Sequence, residues 1–200
     1  MRNALAQVPK IIVTGSGKSG TTFFMELLTE LGFDTGYEPG KVGNGEWKIF
    51  GQAATLEGQP RILKTPWLCE APVLLDTRDR WDWHIERVYV LLRDYDEVAD
   101  SRWNRHHIKY KLPMPEERDD LWQRHRMEAS RNVGDLMLQV VSEEIPYTFL
   151  LFPRIVLDPE YLWFSCELFQ TLDYETFKIG FDKVADLSKV HWGLNEQQAE

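Results

Sequence analysis

An apolar segment that runs into a glycine-rich loop and then into a helix is the feature that most constrains the fold of this chain. Residues 11–13 are Ile-Ile-Val and predict a buried strand, and the loop after them contains Gly15-Ser16-Gly17. The helix is predicted from apolar positions three and four residues apart, which are Phe23, Phe24, Leu27, Leu28 and Leu31, and Gly32 ends it. The order of elements is therefore strand, loop, helix.

The rest of the chain continues this alternation. Strands are predicted at residues 61–65, 87–93 and 147–152, and the second of these is apolar enough to be buried on both faces. One helix is predicted to begin near residues 94–96, and a long helix is predicted from Pro115 to just before Pro146. Two further helices are predicted at residues 158–169 and 174–187. Residues 33–60 lack periodicity and predict a long ordered loop that could cover a ligand. We expect one α/β domain over residues 1–200, a sandwich with a mostly parallel sheet that binds ligands at the carboxyl ends of its strands.

The loop after the first strand has the composition of a phosphate-binding loop. Its backbone N–H groups and the dipole of the next helix can converge on an anion, and Lys18, Thr21 and Thr22 add a cation and two hydroxyls. It is not a Walker A loop, since Ile12 stands where that pattern requires glycine. The sequence therefore disfavours an ordinary ATPase or GTPase. A glycine-rich turn with a solvated lysine is the structural alternative.

Residues 18–22, Lys-Ser-Gly-Thr-Thr, resemble the loop with which sulfotransferases hold the 5′-phosphosulfate end of 3′-phosphoadenosine 5′-phosphosulfate (PAPS). The resemblance implies a three-layer α/β sandwich with a mostly parallel central sheet, of the P-loop NTPase-like, sulfotransferase-like type. It also implies a set of cofactor-binding residues in the loop, namely Gly17, Lys18, Ser19, Gly20, Thr21 and Thr22.

A second segment, residues 87–101, resembles the family pattern of a strand followed by R-x-P-x-D-V-A-x-S. The positions in register are Arg93, Val98, Ala99 and Ser101, while Tyr95 replaces the proline and Glu97 the aspartate. An arginine at a strand end and a serine two helical turns later can share one anion, which in the family is the 3′-phosphate. The structural alternative is that Arg93 pairs with a carboxylate and that Ser101 is an exposed helix residue.

Further similarity is spread along the chain. Residues 61–66 end in Lys64-Thr65-Pro66, which looks like the K-T-P strand end of Golgi heparan-type sulfotransferases. Residues 146–160 look like a later strand of the family and the start of its next helix. The R-K-G-x-x-G-x-W segment of cytosolic sulfotransferases is missing, so the contacts to adenine and the 3′-phosphate must differ in part.

The resemblance implies transfer of a sulfuryl group from PAPS, with 3′-phosphoadenosine 5′-phosphate (PAP) as product and without a metal. Lys18 is the residue expected to stabilise the departing oxygen, and Lys64 is a second candidate cation, with a solvated strand-end lysine as its structural alternative. The acceptor is expected to be a hydroxyl or amine of a small molecule or carbohydrate.

A base must take the proton of the acceptor, and cytosolic relatives use the histidine of K-T-H, where this chain has Pro66. Golgi relatives use a carboxylate after the first helix, and Glu38 is the best positional match. The rival histidines are His84, His106 and His107.

Two other functions fit parts of the same pattern. The segment Gly15-Ser16-Gly17-Lys18-Ser19 also suits a P-loop kinase for a small metabolite, which would require ATP and magnesium. The missing histidine and the short chain also suit a non-catalytic nucleotide-binding module.

Charge and composition limit the partners. The net charge of −9 argues against binding of nucleic acid or of an anionic membrane by bulk electrostatics. There is no run of about 18 apolar residues that would predict a membrane span, and Cys69 and Cys166 form no zinc or disulfide pattern. We expect two buried thiols and a soluble, cytoplasmic protein. The sequence leaves its oligomeric state open.

Overall fold

The structure is a computed structural model of the 200-residue chain, and it describes residues 9–16, 19–42, 60–65, 84–104 and 118–187.

A four-stranded sheet forms the centre of the molecule. Its strands are β1 (Lys10–Gly15), β2 (Ile62–Lys64), β3 (Ile85–Leu92) and β4 (Tyr147–Leu151). They lie in the order β2-β1-β3-β4, and every neighbouring pair is parallel. Each strand lies within two residues of its predicted bounds. The predicted α/β class and the parallel sheet are thus confirmed.

In the described part of the chain, helices follow β1, β3 and β4. They are α1 (Thr21–Glu30), α2 (Tyr95–Asn104), α3 (Arg118–Ser142), α4 (Arg154–Leu157), α5 (Pro159–Ser165) and α6 (Tyr174–Val184), with a 3₁₀ turn at Phe169–Thr171 between the last two. No helix within the described ranges is both long and apolar enough to cross a bilayer.

The sheet has a separate apolar core on each face, because neighbouring side chains of a strand point to opposite sides. Val13 of β1 belongs to the cluster that contains Phe24 of α1 and Phe177 of α6. Ile12 belongs instead to the cluster that contains Leu136 and Val140 of α3. Helices therefore cover both faces, as in a three-layer arrangement.

The predicted helix over residues 158–169 is wrong in its second half. Asp158 caps α5 by accepting a hydrogen bond from the Tyr161 N–H at 2.8 Å, but the helix ends at Ser165 and Cys166 is extended. The extended residue lets Cys166, Leu168 and Phe169 all enter the core, which one helical stripe could not do. The prediction that Cys166 is a buried thiol is confirmed, and its burial raises the pKa of the thiol to about 11. Cys69 lies outside the described residues.

The order of the strands creates a switch point between β1 and β3. From β1 the chain passes through α1 to β2 on one side, and from β3 it passes through α2 and α3 to β4 on the other. Since α1 and α3 cover opposite faces, the two connections diverge at the carboxyl ends of β1 and β3. A crevice at such a point is the usual ligand site of a parallel α/β sheet.

Candidate anion-binding site

The carboxyl ends of all four strands meet at one edge of the sheet. Gly15 lies beside Leu91, Val13 beside Lys64, and Leu92 beside Leu151. The segments that follow these strands therefore come together, and they include most of the residues predicted to form the site.

The loop after β1 leads directly into the amino terminus of α1. Gly20 is the N-cap residue, with a φ of 87° that favours glycine, and no side chain caps the helix there. The first turn of α1 carries no acidic residue. An N-terminus of this kind presents backbone N–H groups and the positive end of the helix dipole to an anion. Gly17 and Lys18, which complete the predicted loop, lie outside the described residues.

Two serine side chains of this loop are buried. The relative exposure of Ser16 is 1% and that of Ser19 is 0%. Neither Oγ atom has a hydrogen-bond partner among the residues that the structure describes. Because a buried polar group is nearly always hydrogen-bonded in a native protein, these two hydroxyls are candidates for bonds to a bound polar molecule.

Gly15 leaves the space into which the Ser19 side chain folds. A Cβ atom at Gly15 would lie 2.2 Å from Ser19 Oγ and 2.5 Å from the carbonyl oxygen of Leu91. The loop can therefore pack this closely over β3 only because residue 15 has no side chain.

Lys64 lies beside the first turn of α1. Its side chain is buried, and Nζ donates a hydrogen bond to Thr22 Oγ1 at 2.8 Å. The strand end is fixed by two further bonds, from Thr65 N–H to the Val13 carbonyl at 2.9 Å and from Thr14 Oγ1 to the Thr65 carbonyl at 2.7 Å. Lys64 and Thr22, which were predicted separately, are thus brought into contact. Thr21, the first residue of α1, is also buried.

Arg93 is the first residue after β3 and is also buried. Only 4% of its side chain is exposed, and its Nε donates to Glu97 Oε2 at 2.7 Å. This is the ion pair that a purely structural role for Arg93 predicts. Its guanidinium carbon lies 5.0 Å from the centre of the Phe152 ring. Ser101 is half-buried on α2, and its proposed contact with a shared anion stays a prediction.

The candidate bases are placed less favourably. Glu38 is exposed and forms an ion pair with Lys41. The segment before Glu38 lies at the amino end of β2, because Asp34 accepts a hydrogen bond from the Arg61 N–H at 2.8 Å. Lys64 lies at the other end of that strand.

His84 precedes β3 and lies at the same amino edge of the sheet, where its carbonyl accepts a hydrogen bond from the Lys10 N–H. His106 and His107 lie outside the described residues, as does Pro66.

Phe152 is the site residue that the sequence analysis missed. It follows β4 and contacts both Gly20 and Arg93, which lie on different connections of the sheet. The signal that could have found it is its position, since it is the first residue after a parallel strand and precedes a proline.

The chain matches no protein-family model and shows no significant match to a curated protein. Within the described part of the chain, no group of three or more His, Cys, Asp or Glu side chains could hold a metal ion.

Proposed function

We propose that this chain is a sulfotransferase on a P-loop-like fold, which moves a sulfuryl group from PAPS to a hydroxyl or amine acceptor. The observation that carries the proposal is the pair of buried hydroxyls of Ser16 and Ser19 at the amino terminus of α1, which have no hydrogen-bond partner among the described residues. They lie at the sheet's switch point, with Lys64 on one side and Arg93 on the other.

The α1 terminus is the proposed site of the 5′-phosphosulfate. Backbone N–H groups at a helix start, hydroxyls of Ser19 and Thr22, and the Lys64 ammonium form a local positive site in a chain of net charge −9. Such a site is what an acidic protein needs in order to hold an anion. From the family resemblance, Gly17 and Lys18 complete the loop.

Arg93 is the proposed partner of the 3′-phosphate. It lies at the end of the strand next to β1, so that the two anion sites occupy neighbouring strand ends. Arg93 Nε donates to Glu97 Oε2, and the planar guanidinium is the side chain best suited to bind a phosphate in fork geometry. Two anionic groups at opposite ends of one nucleotide require two sites of this kind.

The proposed reaction is an in-line displacement at sulfur. The acceptor oxygen or nitrogen forms a bond to sulfur, while the bond from sulfur to the bridging oxygen of PAPS breaks. The electron pair of that bond remains on the 5′-phosphate of the departing PAP, and the acceptor proton passes to a base. Positive groups at the bridging oxygen, here Lys64 and by resemblance Lys18, stabilise the charge that develops on it. Glu38 remains the proposed base on sequence grounds.

A small-metabolite kinase is the second candidate, because the same helix terminus would suit the phosphates of ATP. A non-catalytic nucleotide-binding module is the third, and sulfuryl transfer to any acceptor would eliminate it.

Calorimetric titration of the purified chain separates the first two functions. We expect PAP to bind without magnesium and at least about tenfold more tightly than ATP with magnesium, a difference of about 1.4 kcal/mol. Tighter binding of magnesium-ATP would contradict the proposal and favour the kinase.

A further inference from the structure

Phe152 connects the two parts of the candidate site. It is the first residue after β4, and its N–H donates to the Leu92 carbonyl at 2.7 Å. This bond fixes the Phe152 backbone at the carboxyl edge of the sheet, next to the residue that precedes Arg93. The side chain is half-buried there.

The ring of Phe152 packs against the start of α1. A Cβ atom at Gly20 would lie 2.5 Å from ring carbon Cδ2 of Phe152 and 3.2 Å from Ile155 Cδ1. The ring therefore contacts the backbone of the N-cap residue directly, at a position where φ is positive. Displacement of the ring would free the turn that presents the α1 N–H groups.

The same ring also contacts Arg93. The guanidinium carbon lies 5.0 Å from the ring centre, within the range of a cation–π contact, and the arginine side chain is almost fully buried. Glu97 restrains the guanidinium at Nε, and the ring restrains it from another side. The position of Arg93 thus depends on where the Phe152 ring lies.

We propose that Phe152 is a positioning residue, which fixes the N-terminal turn of α1 and the guanidinium of Arg93 relative to each other. Both ends of a nucleotide would then meet a preorganised pair of anion sites. The consequence for nucleotide binding rests on the proposed function, whereas the coupling between Gly20 and Arg93 does not.

Amide hydrogen exchange measured by NMR tests the coupling without a ligand. The reporter is the Phe24 N–H, which donates to the Gly20 carbonyl, and the Val90 N–H in the core of the sheet corrects for global stability. We expect Phe152→Leu to raise the ratio of the two exchange rates about tenfold, since local opening becomes easier. Phe152→Tyr, which keeps the ring, should leave the ratio unchanged.

Two further variants make the test specific. Arg93→Gln should raise the same ratio of exchange rates when Phe152 is present. It should cause no further rise in the Phe152→Leu variant, because the effect of Arg93 on the α1 turn is transmitted by the ring. Phe33→Leu is the control, since it removes a half-buried ring at the other end of α1. The Phe33 N–H donates there to the Leu28 carbonyl. An unchanged ratio in Phe152→Leu, or equal effects of Arg93→Gln in both backgrounds, would overturn the inference.

Titration of the same variants with PAP separates this inference from the proposed function. We expect Phe152→Leu to weaken PAP binding about tenfold relative to Phe33→Leu. If the exchange results hold and wild type binds no PAP, the coupling stands and the sulfotransferase proposal fails. If wild type binds PAP and Phe152→Leu changes neither affinity nor exchange, the positioning role fails and the proposed function stands.

Discussion

Replacement of Gly15 by alanine is expected to lower the free energy of unfolding by about 1–3 kcal/mol, the usual cost of overpacking. The new methyl group would lie 2.5 Å from the Leu91 carbonyl oxygen, which belongs to the backbone of β3 and cannot turn away. It would also displace the Ser19 hydroxyl from its place over the loop. We therefore expect PAP binding to be lost as well.

Chemical denaturation of Gly15→Ala and of Gly134→Ala checks this prediction. Gly134 lies in α3, and a Cβ atom there would meet no described atom within 4 Å apart from its chain neighbours and the backbone of its own helix. Alanine there should stabilise the protein by about 0.4–1 kcal/mol, because it restricts the unfolded chain and favours the helix. Equal stability of the two variants would show that the loop does not pack against β3 as described.

Replacement of Lys64 by methionine is expected to lower the rate of sulfuryl transfer by about 10²–10³, the usual effect of removing one group that stabilises the transition-state charge. Methionine keeps an apolar chain of similar length in the buried site next to Thr22, so the fold should be retained. The measurement is the rate of transfer from PAPS to the best acceptor of a panel of phenols, alcohols, sugars and amines.

Lys183→Met is the matched control for this prediction. Lys183 is exposed and pairs with Glu30 at the carboxyl end of α1, the end opposite to the proposed site. It should transfer at the wild-type rate. A Lys64→Met variant that is folded and fully active would show that Lys64 is a structural lysine.

The fold could be predicted well because its strongest signals are local. The apolar run of β3 and the sequence of strand, loop and helix at residues 10–30 each determine their own structure, and the parallel sheet follows from the alternation of elements. The break at Cys166 could not be predicted in the same way. It depends on which side chains the two-sided core can accept, and only the packed structure shows this.

The candidate site was predicted in part, for a similar reason. Lys64 and Thr22 are 42 residues apart, and each was identified at a strand end or a helix start, but their hydrogen bond depends on the order of the strands. The pair of Arg93 and Glu97 follows from a spacing of four residues. Phe152 was not predicted because its role depends on Gly20 and Arg93, which are 132 and 59 residues away in sequence.

The central claim is that this site holds a nucleotide with both a 5′ and a 3′ anion, and titration of an Arg93→Ala variant with two ligands tests it most directly. Adenosine 5′-phosphate lacks the 3′-phosphate of PAP, so it provides the matched ligand. Arg131→Ala, which removes an exposed arginine of α3 that pairs with Asp135, is the control variant.

We expect Arg93→Ala to weaken PAP binding by about 10–100-fold, as the loss of a charged hydrogen-bonding partner predicts, and to weaken the binding of adenosine 5′-phosphate much less, because only PAP loses a direct contact. Arg131→Ala should bind both nucleotides as wild type does. An equal loss for both nucleotides, or an unchanged affinity for PAP, would contradict the assignment of Arg93 to the 3′-phosphate. Failure of the wild-type chain to bind PAP would contradict the sulfotransferase proposal itself.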